Sequence, residues 1–184
     1  VGQIPIYYAR KNTGRPATLE SITHIDEIDG RAPQTSLGMS AFHLDAGFTP
    51  LFPFGYGLSY TRFEYSDITT SAERIALGDS ITICARVRNT GSYVAEEVVQ
   101  LYIRDLVGNV TRPVRELKGF QRVRLQPGCD AEVAFTLQTD ELAFYDRNMT
   151  RVTEPGMFHV WIGDCCDTGL WSEFEIMAAA EPAD

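Results

Sequence analysis

A mainly β fold, with two antiparallel sheets packed face to face, is what this sequence predicts. Beyond residue 61, apolar and polar residues alternate with a period of two, the mark of half-buried strands. Turn residues interrupt that alternation at roughly the 8–12-residue spacing of a sandwich. Helical signal is confined to Thr139-Asp140-Glu141-Leu142-Ala143-Phe144, where Thr139 or Asp140 would cap a single turn.

Taken in order, residues 1–61 come first and read differently. Ile4-Pro5-Ile6-Tyr7-Tyr8 is a short strand, and Thr13-Gly14-Arg15-Pro16, Asp29-Gly30, Ala32-Pro33 and Ala46-Gly47 break the rest. A stretch of loop this long does not bury a core. It is expected to be the tail of a preceding domain plus a connector, and the first residue, Val1 rather than Met, fits a severed chain.

A strand at 63–69 opens the second region. Ile81, Ile83, Ala85 and Val87 then share one face, with Thr82, Cys84, Arg86 and Arg88 on the other. Asn89-Thr90-Gly91-Ser92 turns the chain into Val99, Leu101 and Ile103, which alternate with Gln100, Tyr102 and Arg104. A strand at 117–125 ends at Gln126-Pro127-Gly128, and Ala131, Val133, Phe135 and Leu137 follow on one face. Glu154-Pro155-Gly156 precedes Phe158, Val160 and Ile162, and Phe174 with Ile176 closes the series. Seven short strands of this kind make a sandwich, with a barrel as the alternative. The Cys…Trp…Cys spacing of antibody domains is absent, so the sandwich is at most immunoglobulin-like. Its expected span is 62–178, with 179–184 a disordered C-terminus.

Composition bounds the function. The 184 residues are 44% hydrophobic and 22% charged, the balance of an ordinary globular chain. The net charge of −9 is concentrated: residues 140–184 carry 2 Lys/Arg against 10 Asp/Glu. That excess argues against nucleic acid and anionic membrane as partners, and no apolar run approaches the ~18 residues of a membrane span. The basic run Arg112–Arg124, with five cations and one anion, is read as the solvated face of alternating strands.

Catalytic and metal chemistry find no frame. Asp26/Glu27 with Asp29, Glu96-Glu97 and Asp140-Glu141 are acidic clusters without the paired arrangement of a glycosidase. His24, His43 and His159 lie in unrelated contexts, and GxSxG and phosphate-binding glycine loops are missing. Asp164-Cys165-Cys166-Asp167 with His159 lacks the separated ligand pairs of a zinc site, so no metal and no cofactor are expected. Whether Cys84 and Cys129 pair stays open.

One segment stands apart, and even its bland explanation, a hydrophobic plug under a loop, needs a partner surface. Pro50–Phe63 packs five aromatics, two prolines and two glycines into 14 residues. Proline fixes φ and glycine allows tight bends, so the run reads as a rigid connector able to clamp one domain on another. Phe52, Phe54, Tyr56 and Tyr60 are its expected inter-domain contacts.

The string Pro50–Thr61, PLFPFGYGLSYT, closely resembles the segment that joins two domains in glycoside hydrolase family 3 enzymes, among them bacterial β-glucosidases and related β-xylosidases. Val1–Tyr8 and Asn12–Pro16 are similar to the family's upstream segment, Arg112–Phe120 to one of its strand regions, and Asn89-Thr90-Gly91 and Glu154-Pro155-Gly156 to two of its turns. Residues 17–44 follow the family pattern poorly. The resemblance implies a parent with an N-terminal barrel, an α/β sandwich and a fibronectin type III-like domain, this chain being the end of the second and all of the third. The nucleophilic Asp and the acid/base Glu would lie upstream, and no residue here matches either motif, so no catalytic residue is assigned.

The implied partners are the preceding catalytic domains; a homo-oligomer stays open, as does glucoside against xyloside specificity. A periplasmic or secreted location is implied by the resemblance alone. Two other readings compete. A carbohydrate-binding module would need Tyr93, Tyr102, Tyr145, Trp161 or Trp171 to form a flat exposed platform. A free-standing immunoglobulin-like interaction domain would need no enzyme parent.

Overall fold

Alternation becomes strand wherever one face can be buried. In the computed structural model, which describes residues 25–27, 30 and 51–178, ten strands run β1 (Phe63–Thr70), β2 (Arg74–Ala76), β3 (Ser80–Asn89), β4 (Ala95–Asp105), β5 (Glu116–Leu125), β6 (Asp130–Gln138), β7 (Phe144–Tyr145), β8 (Arg151–Val152), β9 (Gly156–Gly163) and β10 (Trp171–Met177). The seven expected strands are all present; β2, β7 and β8 are too short to leave a periodic trace. The expected strand at Ile4–Tyr8, His24, Asp29, His43 and the C-terminus 179–184 lie outside the described residues.

Two packed sheets result, not a closed barrel, β1-β3-β6 and β2-β10-β9-β4-β5, with β7 and β8 forming a separate two-stranded ribbon. Every pairing within them is antiparallel except β2 on β10. The apolar phase of each strand faces the other sheet. Ile81, Ile83, Ala85 and Val87 of β3 meet Val99, Leu101 and Ile103 of β4 and Phe158, Val160 and Ile162 of β9 in one core. Full burial of each larger member contributes about 1.5–3 kcal/mol. Phe158 and Phe174 stack at 5.5 Å across β9 and β10.

Residues Thr139–Leu142 form the expected single turn, a 3-10 turn, but its cap differs. The Glu141 carboxylate accepts the Gln138 backbone N–H at 2.7 Å, which places the cap one residue before Thr139. Thr139 is instead buried, with its hydroxyl accepting the Gly78 N–H at 2.8 Å, and Asp140 pairs with Arg151 at 2.8 Å. Burial of the hydroxyl against the β2–β3 turn decided the matter over local capping preference.

Strand β9 ends at Gly163, opposite Gln100, so the first half of β4 is paired only with β5. Residues 51–62, the connector, pass this gap on their way into β1.

Candidate interface at the connector

The connector is fixed by its backbone. Tyr56 N–H donates to the Pro53 carbonyl at 3.0 Å, closing a turn whose third residue, Gly55, has φ of 85°. Such a turn needs a positive φ at that position, which glycine adopts freely. A Cβ on Gly55 would also collide with the side chains of Gln100 and Tyr102. That closeness is what lets the sandwich grip the turn. Gln100 donates to the Gly55 carbonyl at 3.0 Å and also to the Asp164 carbonyl. The Phe54 carbonyl accepts the Tyr102 hydroxyl at 3.3 Å and the Cys166 N–H at 2.8 Å. Downstream, Thr90 N–H donates to the Arg62 carbonyl at 2.8 Å.

Gln100 and Tyr102 belong to the outward phase of β4, yet both are buried, Tyr102 completely. The connector is their cover. Its own side chains face the other way: Tyr60 is 96% exposed and Leu58 91%, and Leu51 and Phe52 are also exposed. Phe52 and Tyr56 touch each other, with ring centroids 5.4 Å apart. Phe54 and Tyr56 are about half exposed. Of the four residues expected as contacts, the fold thus joins Phe52 with Tyr56, and Tyr60 has no ring contact among the described residues. Polar groups turned inward and apolar groups turned outward are the reverse of an ordinary surface loop.

Two further residues hold this end of the sandwich. Asn89, completely buried, accepts the Thr61 hydroxyl at 2.7 Å and the Gly91 N–H at 3.1 Å on its side-chain oxygen. Its side-chain nitrogen donates to the carbonyls of Tyr93 (2.7 Å) and Leu125 (3.1 Å). Arg115 lies 4.2 Å over the Trp161 ring and donates to the carbonyls of Cys166 and, at 3.0 Å, Thr168. Burial lowers its guanidinium pKa.

The basic run is therefore mostly not a solvated face. Arg112 pairs with Glu116 at 2.8 Å and covers the Phe144 ring at 4.4 Å, and Lys118 pairs with Glu116 at 2.8 Å. Arg122 is the exposed member that pairs with Glu96. Strand alternation had no way to anticipate that cations would serve as lids over aromatics.

Between the connector and the half of β4 paired only with β5 lies a groove of about 560 Å³, lined by Tyr56, Leu58, Tyr65, Glu97, Val98 and Asp164 among others. Tyr65 donates to the Glu97 carboxylate at 3.0 Å from β1. Burial raises the Glu97 pKa, the Tyr65 hydrogen bond opposes it, and the nearby Asp164 charge adds to the rise. The same burial, then Glu97, pushes the Tyr65 phenol well above its usual range.

Of the five rings named for a sugar platform, Tyr93, Tyr145 and Trp171 are exposed and Tyr102 and Trp161 are not. Tyr102 is fully buried and Trp161 is 7% exposed beneath Arg115. Trp171, opposite Trp161 in the β9–β10 register, is half exposed and leans on His159 at 4.8 Å. His159 also faces Glu173 at 3.4 Å. No group of three or more metal-ligating side chains assembles among the described residues. All four cysteines are free thiols, Cys129 exposed and Cys165 buried, and burial pushes the Cys165 thiol up to about 11. Among the described residues no helix is long and apolar enough to cross a membrane.

Two sheets in this strand order, with a connector bound across one of them, define a fibronectin type III-like domain, and residues 97–165 match the family model of that description. The chain is 37% identical over 163 residues to a periplasmic β-glucosidase of Salmonella typhimurium, covering 89% of this chain and 20% of that protein. It is 46% identical over 114 residues to a putative β-xylosidase of Formosa agariphila, covering 62% of this chain and 15% of that protein. The solved structure of a β-glucosidase from Listeria innocua in complex with isofagomine superposes with a TM-score of 0.76 at 33% identity, over 96% of this chain and 22% of that one. The chain spans about a fifth or less of the length of these relatives. It belongs to the C-terminal, fibronectin type III-like region of glycoside hydrolase family 3 proteins of the β-glucosidase kind.

Proposed function

We propose that the chain is the non-catalytic C-terminal part of a retaining exo-β-glycosidase, a β-glucosidase foremost, and that it braces the catalytic domains. In this reading residues 1–61 are the tail of an α/β sandwich domain plus the connector, and 62–178 are the sandwich that carries it. The observation behind the proposal is the connector's orientation. Its carbonyls at Phe54, Gly55 and Arg62 are bonded into the sandwich, while the side chains of Phe52, Leu58 and Tyr60 are exposed. The relatives' names supply the activity of the parent, and their greater length supplies the room for a partner domain.

In the parent the nucleophile and acid/base carboxylates would flank the glycosidic bond in domains upstream of this one. This chain would act on the rate only by holding those domains in register, since small misplacements of catalytic groups are costly. The test compares the purified 184-residue chain with a polypeptide that includes the upstream region, each assayed on an aryl β-glucoside. Turnover is expected only from the longer polypeptide. Turnover by the 184-residue chain itself would refute the reading.

A further inference from the structure

The groove beside β4 does not end at the connector. Val98, on its floor, is 41% exposed, and Phe120, on the edge strand β5, is 65% exposed. Phe120 stands directly opposite Gln100 in the β4–β5 register, and Gln100 is the residue that grips Gly55. Phe120 and Val98 therefore lie beside the connector's crossing point on the outer face of the five-stranded sheet, joined to Phe52 and Tyr56 through the turn at Gly55. Phe120 and Val98 thus extend the connector's outward apolar surface onto the sheet, and contiguous exposed apolar surface of this kind marks an interaction site. The exposed aromatic Tyr145, on the small β7–β8 ribbon, lies outside this face.

We propose that the docking surface runs from the connector across the groove onto Val98 and Phe120, and that its occupant is the domain preceding the connector in the same polypeptide. That occupant would present apolar side chains to Phe120 and Val98 and at least one Lys or Arg toward Glu97 and Asp164. The inference rests on the bracing role above. Two features select this occupant. The matched relatives are roughly four times as long as this chain, of which the match fills 89% against 20% of the relative, and the connector leads directly from the preceding residues to this face. The groove's charge gives the polarity: Glu64, Glu96, Glu97 and Asp164 line it against the cation Arg62, so it is acidic on balance, and the half-buried Glu97 carboxyl is held by Tyr65.

Limited chymotrypsin digestion at the connector aromatics tests this, run on the polypeptide that includes the upstream region and on the 184-residue chain. The connector is expected to be protected only in the longer polypeptide. Phe120→Ser there should raise the connector cleavage rate roughly tenfold, as loss of a central interface aromatic does. Glu97→Gln should raise it less and should weaken its dependence on salt. Tyr145→Ser should leave it unchanged, and in the 184-residue chain Phe120→Ser should not alter cleavage. If the connector is protected in the longer polypeptide and stays so in Phe120→Ser, this inference falls while bracing stands. If the longer polypeptide gives no protection at all, both fall. Protection that grows with the concentration of the 184-residue chain would assign the face to a second copy and overturn the stated occupant. So would protection of that chain by a millimolar saccharide, which would make the groove a ligand site.

Discussion

Gln100 reaches from the middle of β4 to the carbonyl of Gly55, 3.0 Å away, across a gap that no side chain other than hydrogen could share. A core-strand residue on the outward face of a sheet thereby sets the path of a segment 45 positions earlier.

Gly55→Ala should detach the turn. The added methyl group meets Gln100 and Tyr102, and an L-residue at φ of 85° is strained as well. Together these should cost about 2–3 kcal/mol. Hydrogen exchange locates the loss: the Cys166 N–H, bonded to the Phe54 carbonyl, should exchange faster while β3 amides stay protected. Unchanged exchange at Cys166 would contradict the grip.

Asn89→Asp should destabilise the 184-residue chain nearly as much as Asn89→Ala. The carboxylate still accepts from Thr61 and Gly91 but donates nothing to the carbonyls of Tyr93 and Leu125, in a completely buried place. A loss of roughly 2–4 kcal/mol is expected from unpaired buried groups, read by urea denaturation. A mild Asn89→Asp would show that the acceptor contacts alone matter.

Arg115→Lys keeps the charge and should still fail. A lysine has no planar face to lay over Trp161, and its compact ammonium cannot cover that ring while also reaching the Cys166 and Thr168 carbonyls that Arg115 bonds through Nη1. The expected loss is about 1–2 kcal/mol. Acrylamide, expected to quench only the half-exposed Trp171 in the unsubstituted chain, should then quench Trp161 as well.

Glu97→Gln should stabilise the 184-residue chain at neutral pH. The folded-state carboxyl titrates above its ordinary value, chiefly through burial. Below about pH 4.3, the ordinary glutamate value, it is neutral in both states. As pH rises from there, the unfolded chain releases the proton first, so the folded chain binds more protons and stability falls until the folded value is passed. Glutamine cannot ionise, and its oxygen can still accept from Tyr65. The melting temperatures of the two chains should coincide in acid and separate as pH approaches 7; a gap that widens toward low pH would reverse the sign.

Much of the fold was legible because burial on one face imposes a period of two, as in β3, where Ile81, Ile83, Ala85 and Val87 all reach the core. The connector was legible as composition, since proline, glycine and aromatics in one short run have few uses. What alternation cannot convey is whether something covers the second face. Gln100, Tyr102 and Trp161 sit in the outward phase and are buried all the same, under residues far away in sequence. Asn89 looked like part of a turn, and nothing local distinguishes a turn asparagine from one whose four bonds tie two sheets and a connector. Arg115 belonged to a basic run whose members look alike until one of them meets a ring.

The inward hydrogen bonds of the connector have a thermodynamic side. Ordering a backbone residue costs about 1–2 kcal/mol, so a free twelve-residue tether would lose a large sum on meeting its partner. Here Phe54, Gly55 and Arg62 are already fastened when the sandwich folds. The sandwich thus presents a preorganised edge, and association with a neighbouring domain would need to immobilise little beyond the rings themselves.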